Sequence, residues 1–118
     1  MTITLARVYD LGDVGTGRRF LVERLWPRGV RREALAGAEW LPEVGPSTEL
    51  RKWFGHDPGK WDEFRRRYAA ELDHRPEAWR PLADAAAGDV VLLFSSRDTQ
   101  HNNAVALREY LLAQRAGS

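Results

Sequence analysis

The sequence contains no cysteine and no apolar run long enough to cross a membrane. Without cysteine, disulfides, thiolate nucleophiles, cysteine-based zinc sites and iron–sulfur clusters are excluded. Residues 90–94 form the most apolar run, whereas a membrane-spanning helix needs about 20 such residues. Residues 1–9 alternate too early with polar side chains to form the hydrophobic region of a signal peptide. We therefore expect a soluble, cytoplasmic protein that does not associate with membranes.

Net charge is also nearly absent, because 18 basic and 17 acidic residues leave a formal charge of +1. This balance excludes a polybasic protein and an acidic tail. The charges are nevertheless unevenly distributed. Residues 1–32 hold seven arginines and three acidic residues, a local charge of +4, and the remainder of the chain carries −3. The N-terminal third is therefore basic, and an anionic partner remains possible.

The apolar and turn patterns predict a small α/β fold in one domain over residues 1–118, with a frayed tail from about residue 115. We expect about three strands, in a mixed or parallel sheet, packed with three to five helices. The predicted strands begin near residue 3, span 19–26 and span 90–94. Residues 10–17 form a glycine-rich turn between the first two. A parallel crossover needs about a dozen residues or more, so this short connection favours an antiparallel hairpin.

Helix signals are clearest in the middle of the chain. Ser47 is a predicted N-cap for a short helix that ends near Gly55. Asp57 is the predicted cap of the next helix, with Pro58 at its first position. Residues 76–87 predict a further helix that Pro81 kinks or divides into two short turns. A last helix is expected over about residues 100–114.

Polar residues 95–103 follow the apolar run at 90–94. Loops at the carboxyl ends of strands are where α/β proteins bind ligands, and the following helix N-terminus favours an anion. Asp98, His101 and Asn102 are the candidates in this loop. The alternatives are that Asp98 or Thr99 caps the helix, and that the loop is a plain polar turn.

A second candidate group lies at the end of the strand predicted at 19–26. Arg24, Trp26 and Arg28 combine stacking with charged hydrogen bonding, which suits a phosphate or a nucleobase. The alternative is an internal Glu23–Arg24 pair with Trp26 in the core. Lys52 is a candidate ligand contact and His56 a candidate base. A catalytic His56–Asp57 couple competes with Asp57 as a simple cap.

These residues predict a polar crevice that binds a small anionic ligand, bearing a phosphate or being a nucleotide. In an enzyme, His101 or His56 would act as general acid or base with Asp98 beside them, and arginine would stabilise developing negative charge. Water would be the attacking group in a hydrolysis. No metal-ligand spacing or cofactor motif occurs. The alternatives are a nucleic-acid-binding module built on the basic N-terminal third, and a non-enzymatic interaction protein.

Three blocks of the sequence resemble the YeaO-like family, a domain of unknown function numbered 488. The blocks are residues 7–29, with Arg24-Leu25-Trp26-Pro27-Arg28-Gly29 at their end, residues 46–68, and residues 92–104. The resemblance implies a small cytoplasmic α/β protein of bacteria and no established activity. The family usually has Asp in place of Glu23, and small residues with a lysine in place of Ser95-Ser96-Arg97. A more distant branch carries a Cys-His-Arg motif after the corresponding strand, and its thiol chemistry is excluded here.

Overall fold

The computed structural model describes residues 2–11 and 17–117. Four strands form one sheet in the order β1-β4-β2-β3, and every pairing is parallel. The strands are β1 (Ile3–Arg7), β2 (Arg18–Leu21), β3 (Ala38–Trp40) and β4 (Val90–Phe94). The small single-sheet α/β architecture is confirmed. Most of the predicted glycine-rich turn, residues 12–16, lies outside the described residues.

Strand β4 lies at the centre of the sheet, and all of its side chains are buried. An unbroken apolar run is typical of a strand that is covered on both faces, so this prediction is confirmed. The predicted hairpin is wrong, because β1 and β2 do not pair with each other. Both pair with β4 in parallel, one on each side. The length of a connection limits which strands can be neighbours, but two strands joined by a short connection need not be adjacent.

Strand β2 ends at Leu21, well before the predicted end at Trp26. Beyond Val22 the chain bends, and Leu25 is 56% exposed, so its apolar side chain does not extend the strand. Strand β3 was not predicted, because its sequence Ala-Glu-Trp carries no apolar run. Its Trp40 is fixed by a long-range contact, a hydrogen bond from Nε1 to the backbone carbonyl of Glu23 at 2.7 Å.

Four α-helices follow: α1 (Thr48–Phe54), α2 (Trp61–Asp73), α3 (Pro76–Ala85) and α4 (Asn103–Gly117). Both predicted caps are confirmed, since Ser47 Oγ accepts from the N–H of Leu50 and Asp57 accepts from that of Gly59. Asp57 caps a short 3₁₀ turn that leads into α2. The division of α3 at Pro81 is wrong, because one helix contains that proline. Helix α4 starts later and ends later than predicted.

The four helices pack on one face of the sheet, around Phe20, Leu92, Phe64 and Leu107. The opposite face is covered by the segment between β2 and β3, through Leu35 and Trp26. This arrangement leaves the carboxyl ends of the central strands β2 and β4 open between the two layers. In residues 2–11 and 17–117 no helix combines the length and apolar character that a membrane span requires.

Candidate functional site

A pocket of about 340 Å³ lies at the carboxyl ends of β2 and β4. Its walls come from the loop after β2, helix α1 with the turns on both sides of it, Phe64 of α2, and the loop after β4 that leads into α4. In parallel sheets, ligands bind at this end of the strands. Of the residues predicted for the site, those that line the pocket are Arg24, Trp26, Arg28, His56 and Asn102.

Glu23 lies in the pocket where the two central strands end. Its Oε2 accepts a hydrogen bond from Ser95 Oγ at 3.1 Å, which ties the end of β2 to the end of β4. Its Oε1 is buried and has no hydrogen-bond partner among the described residues. Burial raises the pKa of this carboxyl, and the opposing effects of Ser95, His56 and Arg51 are smaller. A carboxylate that is only partly satisfied in such a place needs a functional explanation.

Arg24 supports the pocket from inside the chain. Its Nε donates to the Pro46 carbonyl and its Nη2 to the Gly45 carbonyl, both at 3.0 Å. These bonds hold the segment before α1 against the loop after β2. Among the described residues no ion pair joins Arg24 to Glu23, so the internal pair considered above does not form. Arg24 therefore acts first as a structural clamp.

Arg28 and Arg51 supply the exposed positive charge of the pocket. Neither guanidinium makes a hydrogen bond or an ion pair to another residue within the part of the chain that the structure describes. Each is therefore available to a ligand, and a guanidinium offers a fork of donors that fits phosphate or carboxylate. The sequence does not predict Arg51 as a site residue. It predicts the neighbouring Lys52 as a ligand contact, but Lys52 does not line the pocket. Consecutive residues of an α-helix point about 100° apart around the helix axis, so Arg51 and Lys52 face different directions.

His56 stands at the edge of the pocket in an unusual backbone conformation. Gly55 and His56 both have positive φ, 53° and 57°. A residue other than glycine at positive φ is uncommon, and such residues cluster at functional sites. The Asp57 carboxylate accepts from the N–H of Gly59 at 2.9 Å. Among the described contacts no bond joins it to His56, so the structure does not form the catalytic couple.

Asp98 and His101 form a close pair, but they do not line the pocket. His101 Nδ1 lies 2.9 Å from Asp98 Oδ2. Asp98 also accepts the N–H groups of Gln100 and His101, and these bonds lower its pKa, the one from Gln100 most. The His101 and Trp61 rings pack edge to face, with their centroids 5.3 Å apart. Trp61 in turn packs against Phe54 and Phe64, which do line the pocket. The pair therefore lies beside the pocket and holds the loop after β4 in its conformation.

Asn102 and Trp26 reach the pocket with their polar groups already in use. Asn102 is buried, its Nδ2 donates to the Asp98 carbonyl, and its Oδ1 accepts from the N–H of Val105. Trp26 Nε1 donates to the Val30 carbonyl, and its ring packs edge-on to Trp40. Arg28, Arg51 and His56 consequently remain the main polar groups free to contact a ligand.

We expect Glu23→Gln to stabilise the protein at pH 7 by about 1 kcal/mol, because it removes a charge from a buried position. Folding raises the pKa of Glu23 above 4.5. The folded state therefore holds a proton that the unfolded state releases, and this contribution to stability is complete below about pH 4.5. It is lost as the pH rises through the folded-state pKa. Urea unfolding of wild type and variant from pH 4 to 8 should show a difference in the free energy of unfolding that increases with pH.

The matched control is Glu33→Gln, which removes a carboxylate from an exposed position on a short 3₁₀ turn. Its stability should stay within about 0.5 kcal/mol of wild type across the range. A Glu23→Gln variant that is less stable than wild type at pH 7 would contradict the interpretation that the buried charge of Glu23 lowers stability.

The comparisons with known proteins agree with the family resemblance of the sequence. The family model described as "Inactive DUF488-N3 subclade" matches residues 2–117. The uncharacterized protein YeaO of Escherichia coli K12 is 42% identical over 112 residues, which cover 94% of this chain and 97% of that protein. The uncharacterized protein Rv3073c of Mycobacterium tuberculosis H37Rv is 36% identical over 110 residues, or 92% of each chain. No solved structure gives a significant match. The chain belongs to the YeaO-like DUF488 family, in the subclade described as inactive.

Proposed function

We propose that this protein binds a small, phosphate-bearing anion in the pocket and does not transform it. The observation that carries the proposal is the convergence of two unpaired guanidiniums, Arg28 and Arg51, with His56 on one pocket at the strand ends. Among the described residues, Glu23 is the only carboxylate that lines that pocket, and its single charge is outnumbered by those of Arg28 and Arg51.

The size and walls of the pocket favour a ligand larger than an inorganic ion, such as a nucleoside monophosphate. Its volume of about 340 Å³ falls within the range of small-molecule sites, about 300–1,000 Å³. Phe54, Phe64 and Trp26 provide apolar wall next to the arginines. A sugar or base would pack on these side chains while its phosphate meets Arg28 and Arg51.

Binding without catalysis fits the side chains near the pocket. Ser95 Oγ donates to the Glu23 carboxylate and Ser96 Oγ accepts from the N–H of Asp98, and among the described residues neither hydroxyl is hydrogen-bonded to a histidine. The one carboxylate–imidazole pair among the described residues, Asp98–His101, does not line the pocket. An activated nucleophile needs a base that a third group orients. The Ser95–Glu23 pair lacks such a group among the described residues, since Oε1 of Glu23 has no partner. The family description as an inactive subclade points in the same direction.

The distribution of the basic N-terminal third favours a small ligand over a nucleic acid. Arg18, at the start of β2, pairs with Glu39, and Arg19 follows it. Both therefore lie at the amino end of the strand, whereas Arg24 and Arg28 lie beyond its carboxyl end. A duplex or long single strand needs a continuous basic surface, and these arginines are divided between two ends of the sheet.

The test is isothermal titration calorimetry with adenosine monophosphate, ribose 5-phosphate and inorganic phosphate. We expect at least one to bind the wild type. The double variant Arg28→Ala/Arg51→Ala should weaken that binding at least about 100-fold, since each charged hydrogen-bonding group contributes about 1.5–3 kcal/mol. Chromatography after the titration should recover the ligand unchanged.

The control is Arg80→Ala, because Arg80 is exposed on α3 and does not line the pocket. It should bind as wild type does. Full binding by the double variant, or no binding of any of the three compounds by wild type, would overturn the proposal. Tight binding of a short RNA that falls steeply with salt would instead favour the nucleic-acid hypothesis.

A further inference from the structure

The pocket that should hold an anion also contains a carboxylate, and this combination restricts which anions fit. Glu23 lines the pocket together with Arg28 and Arg51. An ionised carboxylate is only an acceptor and has room for about four hydrogen bonds. Ser95 is the only described residue that donates to it, from Oγ to Oε2, so Oε2 can accept a further hydrogen bond. Oε1 is buried and has no partner. A ligand beside Glu23 therefore meets a negative group with unused acceptor capacity.

We propose that Glu23 selects anions that carry their own hydrogen-bond donor, such as hydrogen phosphate or a phosphate beside a hydroxyl, and rejects fully deprotonated anions such as sulfate. This inference rests on the proposed anion-binding function and names the ligand class of the same pocket. Hydrogen phosphate and sulfate share a tetrahedral shape. At neutral pH, inorganic phosphate always retains a proton and sulfate retains none. The first can donate to Glu23, whereas the second brings only like charge, which costs several kcal/mol when the groups are close.

Glu23 cannot readily swing away from such a ligand, because its backbone is held on two sides. Trp40 Nε1 donates to its carbonyl at 2.7 Å. On the other side Gly45 packs so closely that a Cβ there would lie 3.3 Å from the Glu23 carbonyl carbon and 2.7 Å from the Arg24 nitrogen. Ser95 fixes the side chain itself. Selection by a fixed, partly satisfied group is the usual basis of strong discrimination, because a wrong ligand leaves that group unpaired.

Selectivity should depend on pH in a way that a purely structural carboxylate would not produce. The charged groups that share the pocket with Glu23 are Arg51 and His56 from α1 and its turn, and Arg24 and Arg28 from its own loop. The neighbouring loop after β4 contributes the neutral Ser95. Once Glu23 is protonated it becomes a donor, and sulfate is then accepted.

The experiment is calorimetric titration of sodium phosphate and sodium sulfate at constant ionic strength, from pH 4 to 8. For wild type at pH 7 we expect phosphate to bind at least about tenfold more tightly than sulfate. The ratio should fall toward one as the pH falls through the raised pKa of Glu23. Glu23→Gln should bring the ratio near one at every pH, because its amide offers both a donor and an acceptor. Glu33→Gln, the exposed control, should keep the wild-type ratio.

The outcomes separate this inference from the proposed function. If phosphate and sulfate bind wild type equally at pH 7, the selectivity by Glu23 is wrong and anion binding stands. If neither anion binds, and neither adenosine monophosphate nor ribose 5-phosphate binds, anion binding itself is wrong and the inference fails with it. The phosphate-to-sulfate ratio of wild type at pH 7 tests the inference even if Glu23→Gln does not fold.

Discussion

Replacing Gly45 with alanine is expected to lower the free energy of unfolding by about 3 kcal/mol. A Cβ at this position would lie 2.7 Å from the backbone nitrogen of Arg24 and 3.3 Å from the carbonyl carbon of Glu23. These are backbone atoms, which cannot rotate aside as the end of a side chain can. The segment before α1 would have to move away from the loop after β2, and the bonds from Arg24 to Gly45 and Pro46 would lengthen. Urea unfolding at pH 7 measures the loss.

Gly88→Ala is the matched control. A Cβ on Gly88 would lie 3.8 Å from the nearest atom, the Ala85 carbonyl oxygen, which is an ordinary contact. That variant should stay within about 1 kcal/mol of wild type. Because Pro46 and Arg24 both line the pocket, Gly45→Ala should also weaken phosphate binding. A Gly45→Ala protein with wild-type stability would show that the two segments are not tightly packed and that the pocket is more adaptable than the structure indicates.

The parts of the fold that sequence reasoning predicts correctly are those fixed by neighbouring residues. Strand β4 follows from five successive apolar side chains, and the caps Ser47 and Asp57 follow from residue type and position alone. The pairing of β1 with β4 depends on contacts between residues far apart in the chain. Strand β3 likewise owes its place to pairing with β2. No local pattern encodes such contacts, so strand order could not be obtained from one sequence.

The candidate site shows the same division. The sequence predicts Arg24, Arg28 and Trp26 for the site because they lie at the end of a predicted strand, and all three line the pocket. Asp98 and His101 were assigned to that site by the same reasoning, but they pair with each other beside it. Two residues separate them along a tight turn, which brings their side chains together. Whether Arg51 or Lys52 faces the pocket depends on the rotation of α1 about its axis, and the sequence alone does not determine that rotation.

Arg24 and Arg28 lie in the same loop and line the same pocket, yet their alanine variants should fail in different ways. Arg24→Ala removes two charged hydrogen bonds from the carbonyls of Gly45 and Pro46, which are both buried. We expect a loss of about 2–4 kcal/mol in the free energy of unfolding, because carbonyls left without a donor in a buried place are costly. Arg24→Lys should recover only part of this loss, since one ammonium does not reproduce the fork of a guanidinium.

Arg28→Ala should leave stability within about 0.5 kcal/mol of wild type, because its exposed side chain makes no bond to a described residue. Its effect should instead be on the ligand, with phosphate binding at least about tenfold weaker. Thermal unfolding and calorimetric titration of the two variants, run in parallel, separate the roles. If Arg28→Ala loses stability as Arg24→Ala does, both arginines stabilise the fold and Arg28 is not free to bind an anion. If Arg24→Ala is stable but does not bind, the ligand itself must contact Arg24, and the clamp to Gly45 and Pro46 is secondary.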